Sequence, residues 1–232
     1  MKLITVVMAY FENPKTLRRH LEEWRRLPDW VQQQMRAIIV DDASIDSPAV
    51  QVLADADHPI PIKLYRLDEK RRWNWIASRN VAMHEASDGF HLITDIDHFV
   101  DETLARSLVC DDHNPDRVYK FARREHTGEK IKPHSNSYFM TKAMYWKIGG
   151  HDESFSGFYG SDGSHRRLVE SKAKVVWLPD ELIRYEYVGD SSTTVYKRKT
   201  RADSEHRQKV LAARKPGWKP KVLTFPYHEV AL

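Results

Sequence analysis

One cysteine, Cys110, stands in 232 residues, so neither a disulfide framework nor a cysteine-based zinc site is available, and a reducing compartment, the cytoplasm, is the expected setting. Long apolar runs are equally scarce. The opening "MKLITVVMAYF" passes straight into "ENPKT" without a small-x-small cleavage site and is far too short to cross a bilayer. No other stretch is long enough, so any membrane contact is expected to be peripheral. Glycine-rich phosphate cradles are missing as well. Neither G-x-G-x-x-G nor G-x-x-x-x-G-K-[ST] follows the first apolar segment, which removes the main support for dinucleotide-binding and P-loop readings. A nucleotidyltransferase would carry a glycine-rich arginine–proline signature there, and "MAYFENPKT" lacks it. Internal repeats and low-complexity segments are absent.

What is present is a chain that is 41% hydrophobic, enough to bury a sizeable core in one large α/β domain. Its formal net charge of +4 favours anionic partners without choosing among nucleotides, nucleic acid and acidic glycans. "LITVVMA" is continuously apolar and rich in β-branched residues, as a strand covered on both faces should be. Asn13 then offers an N-cap, Pro14 the first helical position, and Leu17, Leu21 and Trp24 one apolar face of a helix ending near Pro28. The rhythm repeats: "RAIIVDD" as strand, Asp46 to Ala56 as helix, "PIKLYRL" as strand, Trp75 to Ala86 as helix, "GFHLITD" as strand. Such alternation predicts βαβ units and a parallel sheet, with ligands bound outside the carboxyl ends of the strands. Both "VDDAS" and "TDIDH" fall at such ends.

Beyond about residue 110 the rhythm loosens into strands at "RVYKFA", "SNSYFMT", "KVVWLP" and "LIRYEYV" around a glycine-rich loop, "GGHDESFSGFYGSDG". From Tyr196 to Lys221 the composition turns strongly basic, which predicts a solvated helix and a Pro-broken tail. The expected organisation is a main domain over 1–195, with a nucleotide-binding half (1–110) and an acceptor-side half (111–195), followed by a basic extension over 196–232.

The Asp95–Asp97 pair invites a metal reading. A bound phosphate without a glycine cradle needs another counter-charge, and Mg²⁺ or Mn²⁺ takes few carboxylates and completes its shell with phosphate oxygens. On an extended segment, side chains two apart point to the same side. An Asp-x-Asp by itself also suits an ordinary polar turn.

Taken in order, "IIVDDAS", "WNWIASRNVAMHEASDGFHLITDID" and "SYFMTKAMYWKIGGHDESFSGFYGSDGSHRRLV" resemble the acidic nucleotide loop, the A-x-R-N helix with its Asp-x-Asp motif, and the Gly-Gly-x-Asp-Glu acceptor segment of family 2 glycosyltransferases of GT-A fold, over roughly residues 3 to 188. The resemblance implies an α/β, Rossmann-like, mostly parallel sheet flanked by helices with a mixed acceptor-side half. It also implies a metal-dependent, inverting transfer of a sugar from a nucleotide-sugar, foremost a UDP-sugar, to an acceptor hydroxyl on a glycan or lipid-linked saccharide.

Site residues follow from the same likeness. Asp41 and Asp42 match the pair of which one hydrogen-bonds the base, Ala9 and Tyr10 line the base pocket, and Arg79 reaches the donor nucleotide. Asp95 and Asp97 match the ligands of Mn²⁺ or Mg²⁺, with His98 beside them. Asp162 matches the general base, with His151, Asp152, Glu153, Phe158 and Tyr159 on the acceptor side, and Trp73 and Trp75 among the aromatics that could face sugar or base. The sequence departs from the family in three places: Ser161 stands where an acid usually precedes the base, His151 replaces an aromatic, and "IRYEYVGDSS" lacks the usual third metal-binding histidine. That third ligand could be His206, His228 or water. Two other readings stay open: a phage-type transferase acting on hydroxymethylated pyrimidines in DNA, and a non-catalytic nucleic-acid-binding protein, both drawing on the basic extension.

Overall fold

The computed structural model describes residues 2–185 and 200–232. The apolar first segment is strand β1 (Ile4–Tyr10), almost wholly buried. Helix α1 (Pro14–Arg25) buries Leu17, Leu21 and Trp24 with His20 and Thr16 on the same face. Asn13 occupies its N-cap position, but its side chain accepts from the Thr16 hydroxyl at 2.7 Å instead of from a backbone N–H. A short helix α2 (Asp29–Gln32), strand β2 (Met35–Asp41), helix α3 (Ala49–Leu53), strand β3 (Ile62–Leu67), helix α4 (Trp75–Glu85) and strand β4 (Phe90–Asp95) complete the first half. Helix α3 is shorter than the expected Asp46–Ala56 span, because Pro48 sits at its N-cap position with extended backbone.

The second half holds β5 (His98–Phe99), α5 (Glu102–Cys110), β6 (Arg117–Glu125), β7 (Lys130–Ile131), β8 (Tyr138–Thr141), α6 (Lys142–Ile148), α7 (Asp162–Lys172) and β9 (Lys174–Arg184). "KVVWLP" and the start of "LIRYEYV" are one strand, not two. β9 runs parallel to β6 and bulges between Leu178 and Glu181, where the register slips past Pro179. The remainder of "LIRYEYV", the segment searched for a third metal-binding histidine, and Lys197, Arg198 and Lys199 lie outside the described residues. The basic segment then forms helix α8 (Arg201–Ala212), and the expected Pro-broken tail ends in strand β10 (Tyr227–Val230).

One sheet unites these strands in the order β10-β3-β2-β1-β4-β8-β6-β9-β5, with β7 on β6. β3, β2, β1 and β4 are parallel, β8 runs antiparallel between β4 and β6, and β10 closes the β3 edge antiparallel. Side chains alternate between two cores. Ile4, Val6 and Met8 of β1 pack on one face with α1 and α5, and Val7 faces the other with Ala77 and Val81 of α4 and Tyr145 of α6. The parallel half thus brings Tyr10, Asp41 and Asp95 to one edge, since Tyr10 pairs with Asp41 and Ala9 with Asp95.

Candidate active site

At the end of β2, Asp41 and Asp42 part company. Asp41 is consumed by the fold: its carboxylate accepts from the Ser44 and Ala49 N–H groups at 2.8 and 2.9 Å and pairs with Arg66 at 3.2 Å. Asp42 is equally buried, yet its Oδ1 has no partner among the described residues. Burial first, and the Asp41 charge second, push its carboxyl well above the ordinary value. Around the pair, Glu12 accepts from the N–H groups of Ile45, Asp46 and Ser47 at 2.5 to 3.2 Å and so pins the loop after β2 against the loop after β1. Tyr10 is fully buried with its hydroxyl donating to Ser47 O at 2.5 Å, and Ala9 is half-buried beside Asp95.

Arg79, on α4, is wholly buried. It donates to Asn136 O at 2.9 Å, pairs with Asp95, and lies 4.6 Å from the Trp75 ring centre. Asp95 closes β4, whereas Ile96 and Asp97 form a turn leading into β5. The expectation that a pleated strand aligns the two aspartates is therefore corrected: a turn, tied down where His20 Nε2 meets Ile96 O at 2.7 Å, brings them together. Each carboxylate remains about a third exposed, 38% for Asp95 and 35% for Asp97. Both already carry partners. His134 Nε2 lies 3.1 Å from Asp95, while His98 Nδ1 lies 2.6 Å and Arg184 Nε 3.5 Å from Asp97. Burial alone would raise both carboxyls, but His134 and Arg79 hold Asp95 far below the usual carboxylate range and His98 holds Asp97 below it. Both are therefore ionised at neutral pH.

Neither His206 nor His228 joins this cluster. His206 bonds Ser154 O at 2.7 Å with its ring stacked on Phe158, and His228 pairs with Asp68 at the β10 edge. Besides His98, the histidine against the aspartates is His134, in the loop before β8. Nothing in "KPHSN" marks it from sequence, because its meeting with Asp95 depends on how β8 docks beside β4.

In the second half, Asp162 opens α7, half-buried and with no hydrogen bond or ion pair among the described residues. Asp152 and Glu153 are different: all four of their carboxylate oxygens are taken. Asp152 accepts from Ser154 N and Lys221 N and pairs with Arg214; Glu153 accepts from Asn80, Leu223 N, Thr224 N and the Thr224 hydroxyl at 2.6 to 2.8 Å. They anchor the chain after α8 to α4, which leaves them unsuited to accept a proton. His151 is buried with its ring stacked 3.7 Å on that of His165, and burial drives both imidazoles down, His165 to about 3, so both are neutral. Phe158 faces His206, and Tyr159 packs edge-on to Trp73 at 5.2 Å. Trp75 lies edge-on to His151 at 5.2 Å. These aromatics bind one another across the loops and α8.

A parallel half with acids at the ends of β2 and β4, joined through an antiparallel strand to a mixed half, is the GT-A architecture. Within that class the chain belongs to glycosyl transferase family 2, whose family model matches residues 5–168. Among solved structures it is similar to S. aureus TarS 1-349 in complex with UDP-GlcNAc, at 16% identity and TM-score 0.71 over 91% of this chain and 66% of that one. It is similar as well to the mannosyltransferase PcManGT from Pyrobaculum calidifontis in complex with GDP-Man and Mn²⁺, at 16% identity and TM-score 0.59 over 91% of this chain and 65% of that one. At such identities the likeness is one of fold, and the chain spans about two thirds or less of the length of these structures. No curated protein matches the chain significantly.

Proposed function

We propose that the chain is a metal-assisted, inverting glycosyltransferase that moves a sugar from a nucleotide diphosphate donor to a hydroxyl of a glycan or lipid-linked acceptor. The observation that carries this reading is the set of acids at the strand ends and on α7: Asp42 with a buried oxygen unpartnered among the described residues, Asp95 and Asp97 ionised with Arg79 against Asp95, and Asp162 without a hydrogen bond or ion pair among the described residues. The two neighbouring folds solved with UDP-GlcNAc and with GDP-Man and Mn²⁺ support the donor class and the cation.

The residues fit a hard divalent cation. Asp95 and Asp97 offer ionised oxygen ligands that reach the cleft, and among the described residues no group of three or more histidines, cysteines or acids is arranged to hold a metal alone. Donor phosphate oxygens and water would fill the remaining positions. When bound, Mn²⁺ or Mg²⁺ supplies positive charge to the leaving diphosphate. The chain's own groups do the rest. Asp42 accepts from the nucleobase, with the Tyr10–Ala9 backbone as the floor of its pocket. Arg79, held by Asn136 and stacked on Trp75, adds a fixed guanidinium next to Asp95. Asp162 takes the acceptor hydroxyl's proton as the oxygen attacks the anomeric carbon from the face opposite the departing diphosphate.

Calorimetric titration of UDP and of GDP, each with and without Mn²⁺, tests the reading. Metal-linked affinity for one nucleotide is expected; absence of binding by both, with and without the cation, overturns it.

A further inference from the structure

A single rung of the sheet crosses from the donor site to the outer edge of the acceptor half. Ile93 of β4 pairs with Tyr138 of β8, the β8–β6 pairing at Phe139 and Tyr119 sets Lys120 across from Tyr138, and Lys120 pairs with Trp177 of β9. Alternation along each strand puts these side chains on the face shared with α4 and α7, and Asp95 follows Ile93 by two residues, roughly 7 Å along the strand.

Three features of that row are unexplained by packing. Trp177 is 55% exposed, one of few large apolar side chains so placed. The Tyr138 hydroxyl is buried without a hydrogen-bond partner among the described residues. Lys120 is buried, its residue 7% exposed, yet its ammonium makes no hydrogen bond or ion pair among the described residues and lies 4.9 and 5.5 Å from the Tyr138 and Trp177 ring centres. The nearest carboxylate, Glu170, pairs with Arg166. A desolvated cation without a counter-ion is costly to keep, and an exposed indole beside it offers the flat apolar face on which a pyranose ring stacks.

We propose that Trp177 and Lys120, backed by Tyr138, form an acceptor subsite for an anionic saccharide, with the sugar ring on Trp177 and its phosphate or carboxylate on Lys120. This deepens the proposed function and rests on it. The position suits the role: the row leads from Arg79 and Asp162, whose charges both reach Tyr138, outward along the sheet. A saccharide bearing a local charge fits better than a nucleic acid, because the subsite presents Lys120 beside the Arg166–Glu170 pair and not an extended stripe of cations.

The test uses the full chain with Mg²⁺ and UDP, whose own binding is measured first. Glucose 6-phosphate, glucuronate and glucose are then titrated by calorimetry, and the Trp177 indole N–H is followed by NMR after assignment with Trp177→Phe. Either anionic sugar should shift that signal, the responding one identifying phosphate or carboxylate as the recognised group, while glucose binds more weakly. Lys120→Met should weaken the anion by about tenfold or more and bring it level with glucose. Trp177→Ala, at an exposed position where folding is not at stake, should weaken every sugar. UDP affinity should stay unchanged in both variants. Equal affinity for glucose and the anions, anion affinity untouched in both variants, or UDP binding with no response to any sugar overturns the subsite. So does a single-stranded oligonucleotide that shifts the indole in preference to the sugars. Failure of UDP itself to bind marks the collapse of the donor reading instead.

Discussion

Asp95 and Asp97 are both ionised and both already paired within the protein, so a divalent metal bound there would have to exchange for those partners. For Asp97 these are His98 and the more distant Arg184, and the carboxylate is a third exposed; removing it should disturb the fold little while deleting the proposed metal ligand. Asp97→Ala is expected to abolish Mn²⁺-dependent UDP affinity while circular dichroism and melting temperature stay close to wild type. Unchanged calorimetric affinity would sink the assignment. Asp162→Asn is expected to retain UDP and Mn²⁺ binding and to lose transfer by about 10² to 10⁴, the usual range for a general base, because the amide keeps the shape and cannot take a proton. Near-wild-type turnover would remove Asp162 from the chemistry. Asp152 and Glu153 could not then stand in for it, since every oxygen they have is engaged.

At the scale of elements, α8 is held by the buried Asp203 and the segment after it by Asp152 and Glu153. Asp203 closes a capping box with Thr200, pairs with Arg72 at 2.9 Å and accepts from Tyr159 N at 3.0 Å. Burial would raise its carboxyl, but the Tyr159 and Thr200 hydrogen bonds and the Arg72 charge outweigh that and hold it below the ordinary value. A lowered folded-state pKa stabilises the fold above the unfolded value of about 4 and is lost as pH falls through the folded value. Asp203→Asn should therefore cost about 2 kcal/mol at pH 7, roughly 4–8 °C in Tm for a chain of this size, and the gap to wild type should narrow steadily in melts below about pH 4. A pH-independent gap would assign the loss to packing. These elements also divide what sequence makes legible from what it does not. The βαβ half is readable because β1 and β2 are unbroken apolar runs and α1 has one apolar stripe. Helix α5 carries a readable signal too, Asp101 capping the Leu104 N–H ahead of Leu104, Ala105, Leu108 and Val109 at helical spacing. Helix α7 carries almost none, because its buried face is Ser164, His165 and Val169 and its second residue is glycine. Strand β10 and the His134–Asp95 contact are set by pairings across the whole fold, which local pattern does not encode.

For the whole molecule the question is where the excess positive charge goes. Part of it is spent internally: Arg214 pairs with Asp152 and lies 3.7 Å from the Trp218 ring centre, and Arg201 pairs with Glu205. Lys215, Lys219 and Lys221 are exposed after α8 and are the cations there most available to a polyanion. If the acceptor were DNA, these lysines would contact phosphates, and each lost contact would reduce the log–log salt slope of binding by about 0.9 on duplex or 0.7 on single strands. A glycan acceptor bound along the β8–β6–β9 row makes no such demand on them. The expected outcome is that wild-type protein binds hydroxymethylated DNA no more tightly than its net charge of +4 requires, and that the Lys215/Lys219/Lys221 triple alanine variant leaves both UDP affinity and transfer to saccharide unchanged. Fluorescence anisotropy across a salt series decides the matter. A steep slope in the wild type that flattens by two to three contacts in the variant, at about 0.7 to 0.9 each, would make the extension a nucleic-acid arm and DNA the acceptor.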